Sequence, residues 1–227
     1  MKKTTQNFLL AIAGAMLGTA GFAQTTYNFD LNYNTDSQYP STGNWNNHYA
    51  GDWGTTIDNF IDDQGNASTY TFAITDDFVA GNSTGSTNPD SNLGFPETAT
   101  NDSYYVQDGS NPTGAITISG LNTSNVYSFE VFAARAGVSD NRETQYELVG
   151  ANTEVGYLDP SSNDSESVLI ENIQPDASGN IVLNVSKGPN NANGAGYAYI
   201  GAFKMTETSN LSVNKNVIEG AVSIYPN

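Results

Sequence analysis

In "VYSFEVFAA" (Val126–Ala134), Tyr127, Phe129, Val131 and Ala133 fall on one side of a two-residue period, and Ser128 and Glu130 on the other. That alternation belongs to a strand with one face in a core and one in water. It returns in Ile181, Leu183 and Val185, and again in Tyr197, Tyr199, Gly201, Phe203 and Met205. Helical periodicity is nearly absent after residue 23. Working outward, strands are predicted over Thr26–Tyr33, Thr56–Asp62, Ser68–Val79, Ala115–Ser119, Val126–Ala134, Thr144–Val149, Ser167–Ile173, Ile181–Lys187 and Gly196–Met205. Every proline lies outside these runs, as ladder hydrogen bonding requires. Asp108-Gly109 and Asn193-Gly194 suit tight hairpin turns. The expectation is an all-β chain of about nine strands, a β-sandwich of jelly-roll type, with a closed barrel as the other arrangement.

Residues 1–23 read as a secretory signal: Lys2 and Lys3 open it, Phe8–Met16 is its apolar run, and Gly21-Phe22-Ala23 its cleavage site. The run is short for a membrane helix, and no later segment approaches a spanning length. An exported, soluble protein with no membrane span is expected. It has no cysteine, so its stability must come from one sizeable core at 24–206 or from bound ions. Without the signal, five basic residues face all 24 acidic ones, a net charge of −19. Such a surface repels phosphate backbones, which argues against nucleic acid, and attracts cations such as calcium.

From Thr206 the chain turns polar and ends "LSVNKNVIEGAVSIYPN" (Leu211–Asn227). This resembles the linker and first strand of the C-terminal sorting domain of the Bacteroidetes type IX secretion system. Residues 207–227 are thus expected to be a linker and truncated sorting domain. The resemblance implies a fragment of a longer product, handled by the type IX machinery and ending secreted or attached to the outer surface. "GLNTSNVYSFEVFAARAGVSDNRETQYELVG" (Gly120–Gly150), with "GNWNN", "TNDSYY" and "YAYIGAFKM", is similar to galactose-binding-like or carbohydrate-binding β-sandwich modules of secreted flavobacterial proteins. That resemblance implies a non-catalytic fold with a polysaccharide or glycan partner.

The long segments Asn34–Thr55, Gly81–Asp102 and Gln107–Gly114 read as loops, where binding function usually resides. "GNWNNHYAGDWG" (Gly43–Gly54) holds both tryptophans and the only histidine; its asparagines and glycines oppose a helix and make it a loop. Indole faces beside amides suit a pyranose, whose C–H face stacks while its hydroxyls seek donors and acceptors. The candidate ligand residues are Trp45, Asn47, His48, Trp53, Tyr104, Tyr105, Arg135 and Arg142. Against that stands a packing reading, in which a tryptophan plugs the sandwich and Arg142 pairs with Asp140 or Glu143. The acidic pairs Asp62-Asp63 and Asp76-Asp77 are candidate calcium ligands, though neither follows an EF-hand spacing.

Catalysis has fewer footholds. Thiol chemistry and multi-histidine metal chemistry are excluded by composition. Gly81-Asn82-Ser83-Thr84-Gly85 matches a nucleophile elbow in letters, but a loop follows it instead of a helix. A glycosidase pair from Glu97 and Asp102 is the enzymatic alternative. A structural or protein-interaction domain of a surface protein is the third reading.

Overall fold

The computed structural model describes residues 24–209; the signal-like segment 1–23 and the sorting-like Leu211–Asn227 lie outside the described residues. Fourteen strands form in chain order: β1 Gln24–Asn32, β2 Trp45–Tyr49, β3 Thr56–Asp58, β4 Thr71–Asp76, β5 Ala80–Asn82, β6 Ser103–Val106, β7 Thr113–Ser119, β8 Val126–Phe132, β9 Thr144–Val149, β10 Thr153–Leu158, β11 Val168–Ile173, β12 Ile181–Lys187, β13 Ala198–Ile200 and β14 Ala202–Thr208. One short helix, α1, covers Glu97–Thr100. No helix of the described residues is long and apolar enough to cross a membrane.

The strands make a five-stranded sheet (β11-β8-β14-β1-β2), a six-stranded sheet (β10-β9-β12-β7-β4-β3) and a small sheet (β13-β6-β5). Successive strands β7, β8 and β9 alternate between the two large sheets, and so do β10, β11 and β12, as in a jelly roll. The alternation read from the sequence is what closes this sandwich. Tyr127, Phe129 and Val131 of β8, Tyr27, Phe29 and Leu31 of β1, and Phe203 and Met205 of β14 meet Phe72, Ile116, Ile118, Tyr146, Leu148, Leu183 and Val185 from the other sheet. At the centre, Phe203 stacks on Phe29 with centroids 4.5 Å apart, and on Phe129 at 5.8 Å. β1 pairs antiparallel with the whole of β14, from Gln24 beside Thr208 to Asp30 beside Ala202.

Several expected boundaries shift. Trp45–Tyr49 is a strand, not a loop, and it pairs parallel to β1 from Asn28↔Trp45 to Asn32↔Tyr49. Its asparagines secure it: Asn46 Nδ2 donates to Asn28 O and Ile61 O, and Asn46 Oδ1 accepts from Ile61 N at 2.9 Å. The predicted strand 196–205 divides at Gly201, where the chain passes from the small sheet to the five-stranded one. Asp108-Gly109 does turn, with Gly109 at φ +80° and an antiparallel bridge between Gln107 and Asn111 closing it, and the chain then passes from the small sheet to the six-stranded one. Asn193-Gly194 lies between β12 and β13, also in different sheets, and Gly194 has no positive φ.

The segment following β5 is no free loop. It folds over the outer face of the five-stranded sheet, where Phe95 and Ala99 bury against Phe132, Ala134 and Ala202, with Trp45 and Leu93 at the margin. Lys204 anchors this cover: its Nζ donates to Leu93 O at 2.6 Å and Glu130 Oε2 at 3.2 Å and lies 4.1 Å from the Phe95 ring centroid. Toward the end of β1, Asp30 and Asn32 on the same face have no exposed surface, Asp30 under the Ser41 amide and Asn32 against Asn47.

Candidate functional site

The small sheet caps the end of the sandwich at which β1 finishes, and a cleft of about 410 Å³ opens on it. Tyr33, Gly81, Asn82, Ser83, Tyr105, Arg135, Arg142, Tyr197 and Tyr199 line it. In β6 successive side chains point oppositely, so Tyr104 enters the core while Tyr105 turns to the cleft. Register places Tyr105 directly across from Tyr199. Tyr105 and Tyr197 meet edge to face at 5.6 Å, and Tyr197 and Tyr199 lie nearly parallel at 6.2 Å. On the opposite wall, a Cβ on Gly81 would stand 2.9 Å from Ala50 Cβ and from the Tyr33 ring, so only glycine lets that strand lie so close.

Arg142 is the organiser of the cleft. Its Nε pairs with Asp140 at 3.3 Å, its Nη1 donates to the Tyr199 hydroxyl at 2.7 Å, and its guanidinium lies 5.5 Å from the Tyr197 ring centroid. The Asn193 amide holds Asp140 from the other side, and Asp140 stays below the usual carboxylate range chiefly through that bond. Arg135 leaves the end of β8 with its backbone fixed by Pro160 O at 2.7 Å. Its Nη1 donates to Ala136 O at 3.3 Å, and it takes part in none of the three ion pairs among the described residues. Burial raises the Tyr199 pKa, and the two guanidiniums oppose that rise. The result is a rigid aromatic floor with a cationic, hydrogen-bonding wall in a strongly acidic chain.

Of the sequence candidates, Tyr105, Arg135 and Arg142 come together here. The others do not. His48 and Tyr104 are interior, 3% and 0% exposed, and share a 2.8 Å hydrogen bond between Nδ1 and the phenol oxygen. Burial lowers the His48 pKa, so its ring is neutral at pH 7, with no face for a ligand. Asn47 is spent on the Ser41 amide and carbonyl, both at 2.9 Å. Trp53 packs edge to face on Tyr104 at 4.9 Å, and Trp45 packs on Phe95 at 6.2 Å. "GNWNNHYAGDWG" is thus mainly a plug and an edge strand. Tyr197 and Tyr199 alternate in step with Phe203: Tyr199 is 3% exposed and belongs to the core as that period implies, whereas Tyr197 is half-buried and turns to the cleft.

The four expected calcium ligands do not form one site. Asp62 accepts from the Asn66 side-chain amide at 3.0 Å, which chiefly depresses its pKa, and from Gln64 N and Asn66 N in a tight turn, whereas Asp76 accepts from the Thr113 hydroxyl at the far end of β4. Asp63 and Asp77 are exposed beside them. Among the described residues no three His, Cys, Asp or Glu side chains gather. The Glu97–Asp102 pair dissolves too: Glu97 lines an adjoining 510 Å³ hollow, while Asp102 is fully enclosed and cannot flank a substrate.

A jelly-roll sandwich with an aromatic, arginine-walled cleft at its loop end is the class that fold and site define. No protein-family model matches the chain, and no curated protein does. Among solved structures, TmCBM61 in complex with β-1,4-galactotriose is similar at TM-score 0.33 and 12% identity, covering 61% of this chain and 88% of that one. The plant receptor-like kinase ANX2 is similar at TM-score 0.47 and 9% identity, over 82% of this chain and 49% of that one. The ANXUR1 extracellular domain from Arabidopsis thaliana follows at 0.39 and 11%, over 69% and 46%. The chain spans about half the length of these two receptor structures.

Proposed function

We propose that the protein is a non-catalytic glycan-binding module whose ligand enters the Tyr105–Tyr197–Tyr199 cleft. One observation carries the reading: two of the four basic residues between 24 and 209, Arg135 and Arg142, converge with four tyrosines in a single 410 Å³ cleft. Half-buried rings at Tyr105 and Tyr197 offer the apolar faces against which pyranose C–H groups stack. Arg135, outside any ion pair, supplies a planar donor fork for hydroxyl or carboxylate oxygens. The signal at 1–23 and the sorting-like tail support export by the type IX route, which leaves the module secreted or on the outer surface.

The test is affinity electrophoresis of the full chain against neutral and acidic polysaccharides, galactan and pectin included, beside folded Tyr197→Ala and Arg135→Gln variants. Binding to at least one polysaccharide, weakened about tenfold by Tyr197→Ala, is expected, which corresponds to roughly 1.4 kcal/mol of lost stacking. Retention on no polysaccharide would overturn the reading and favour a structural or protein-interaction domain. Release of reducing sugars would overturn its non-catalytic part.

A further inference from the structure

Of the four lysines and arginines between residues 24 and 209, three have a carboxylate partner. Arg142 pairs with Asp140 at 3.3 Å, Lys187 with Asp108 at 3.0 Å and Lys204 with Glu130 at 3.2 Å. Arg135 has none, and its Nη1 donates to the carbonyl of the next residue, Ala136.

The chain holds 24 acidic residues, yet none among the described residues lines the 410 Å³ cleft in which Arg135 and Arg142 stand. Acidic side chains of the adjoining segments are committed elsewhere. Asp140 is divided between Arg142 and the Asn193 amide, and Asp159 Oδ1 accepts from the backbone amides of Arg142 and Ser161, both at 3.0 Å. Asp164 accepts from the Ser86 hydroxyl at 2.5 Å. Arg142 is itself spent on Asp140 and the Tyr199 hydroxyl, with its side chain 13% exposed. Arg135 is half-buried. It has given up part of its hydration without gaining a counter-charge, and that imbalance favours an anion arriving from outside.

We propose that the ligand is a glycan carrying a uronic acid, whose carboxylate pairs with Arg135 while its ring lies against Tyr105 and Tyr197. This rests on the glycan reading of the cleft and narrows it to a chemical class. A guanidinium offers parallel N–H donors that match the two oxygens of a carboxylate, a fit no neutral hydroxyl reproduces. In a uronic acid the apolar ring face and the carboxylate belong to one sugar, which joins the aromatic floor to the cationic wall. One unpaired guanidinium calls for one carboxylate, and the field of so acidic a chain opposes a dense polyanion. The fitting ligand is thus a uronate set among neutral sugars.

The test is affinity electrophoresis of the full chain in glucuronoxylan, rhamnogalacturonan or polygalacturonate, each beside the same polymer with its carboxyls reduced to alcohols. One of the two mixed polymers should retain the wild type about 10- to 100-fold more tightly than its reduced form, and more tightly than polygalacturonate does. Arg135→Gln should bring the intact polymer down to the reduced one, and Arg135→Lys, which keeps the charge but not the fork, should preserve part of the difference. Lys187→Gln, at a cation outside the cleft, should preserve all of it. Equal retention by intact and reduced polymers, retention by neutral glycans alone, tightest retention by polygalacturonate or a sulfated galactan, or a preference that survives Arg135→Gln in a folded variant would each overturn the uronate assignment and leave the glycan reading standing. Retention by no polysaccharide would overturn both.

Discussion

Raising the pH of chelator-treated protein should unload its stability, and Asp102→Asn should remove much of the effect. Burial lifts the Asp102 pKa from 3.8 to about 8, with the Asp30 charge adding to the rise and the Tyr33 amide opposing it. Burial likewise lifts Asp30 from 3.8 to about 7, against its bonds to Ser41. A carboxyl raised on folding holds its proton more tightly in the folded chain. Its contribution is full below the unfolded value near 3.8 and is lost as pH climbs through the folded value. Between those limits each group costs up to about 1.4 kcal/mol per pH unit, so Asp102 alone accounts for roughly 4 kcal/mol between pH 5 and pH 8. For a domain of this size that is a fall in Tm of about 8–16 °C. The assay is thermal unfolding by circular dichroism in EDTA from pH 5 to pH 9, wild type against Asp102→Asn. The variant should show a markedly flatter profile and melt above the wild type at pH 9. A wild-type Tm that is level or rises across this interval would refute the reasoning.

Other substitutions separate packing from binding. Phe203→Ala empties the centre of the stacked rings and should cost about 3–5 kcal/mol, read as a lower urea midpoint at unchanged m-value. Trp53→Ala strips the ring from Tyr104 and His48 and should lower Tm while leaving any glycan retention as it was, since Trp53 does not line the tyrosine–arginine cleft. Gly81→Val drives a side chain into Tyr33 and Ala50, and should abolish retention in affinity electrophoresis by displacing the cleft wall.

The central strands were legible because one side chain in two enters a core, and Tyr127, Phe129 and Val131 or Ile181, Leu183 and Val185 announce that period locally. Strand β2 was not. "WNNHY" has poor strand chemistry, and it extends only because Asn46 bridges Asn28 and Ile61, residues far apart in sequence. Asp30 and Asn32 sit at the water-facing beats of a correct alternation, yet both are enclosed, Asp30 under the Ser41 amide and Asn32 against Asn47. The cleft draws on Tyr33, Gly81, Tyr105, Arg135, Arg142 and Tyr197, six separate stations that only the pairing of β5, β6 and β13 assembles. Arg135 and Arg142 could be singled out because cations are scarce in so acidic a chain. Tyr197 could not be told from the core tyrosines, since the change of sheet at Gly201 leaves no periodic trace.

The antiparallel pairing of β1 with β14 fixes how the molecule would sit when tethered. Gln24 and Thr208 lie side by side, so whatever is attached to either leaves from the same pole. The cleft opens beyond Asn32, eight strand residues and roughly 27 Å away. A module held to a surface by its tail would present its tyrosines outward, like a cup raised on a stem. The stem could change in length or stiffness without disturbing the grip.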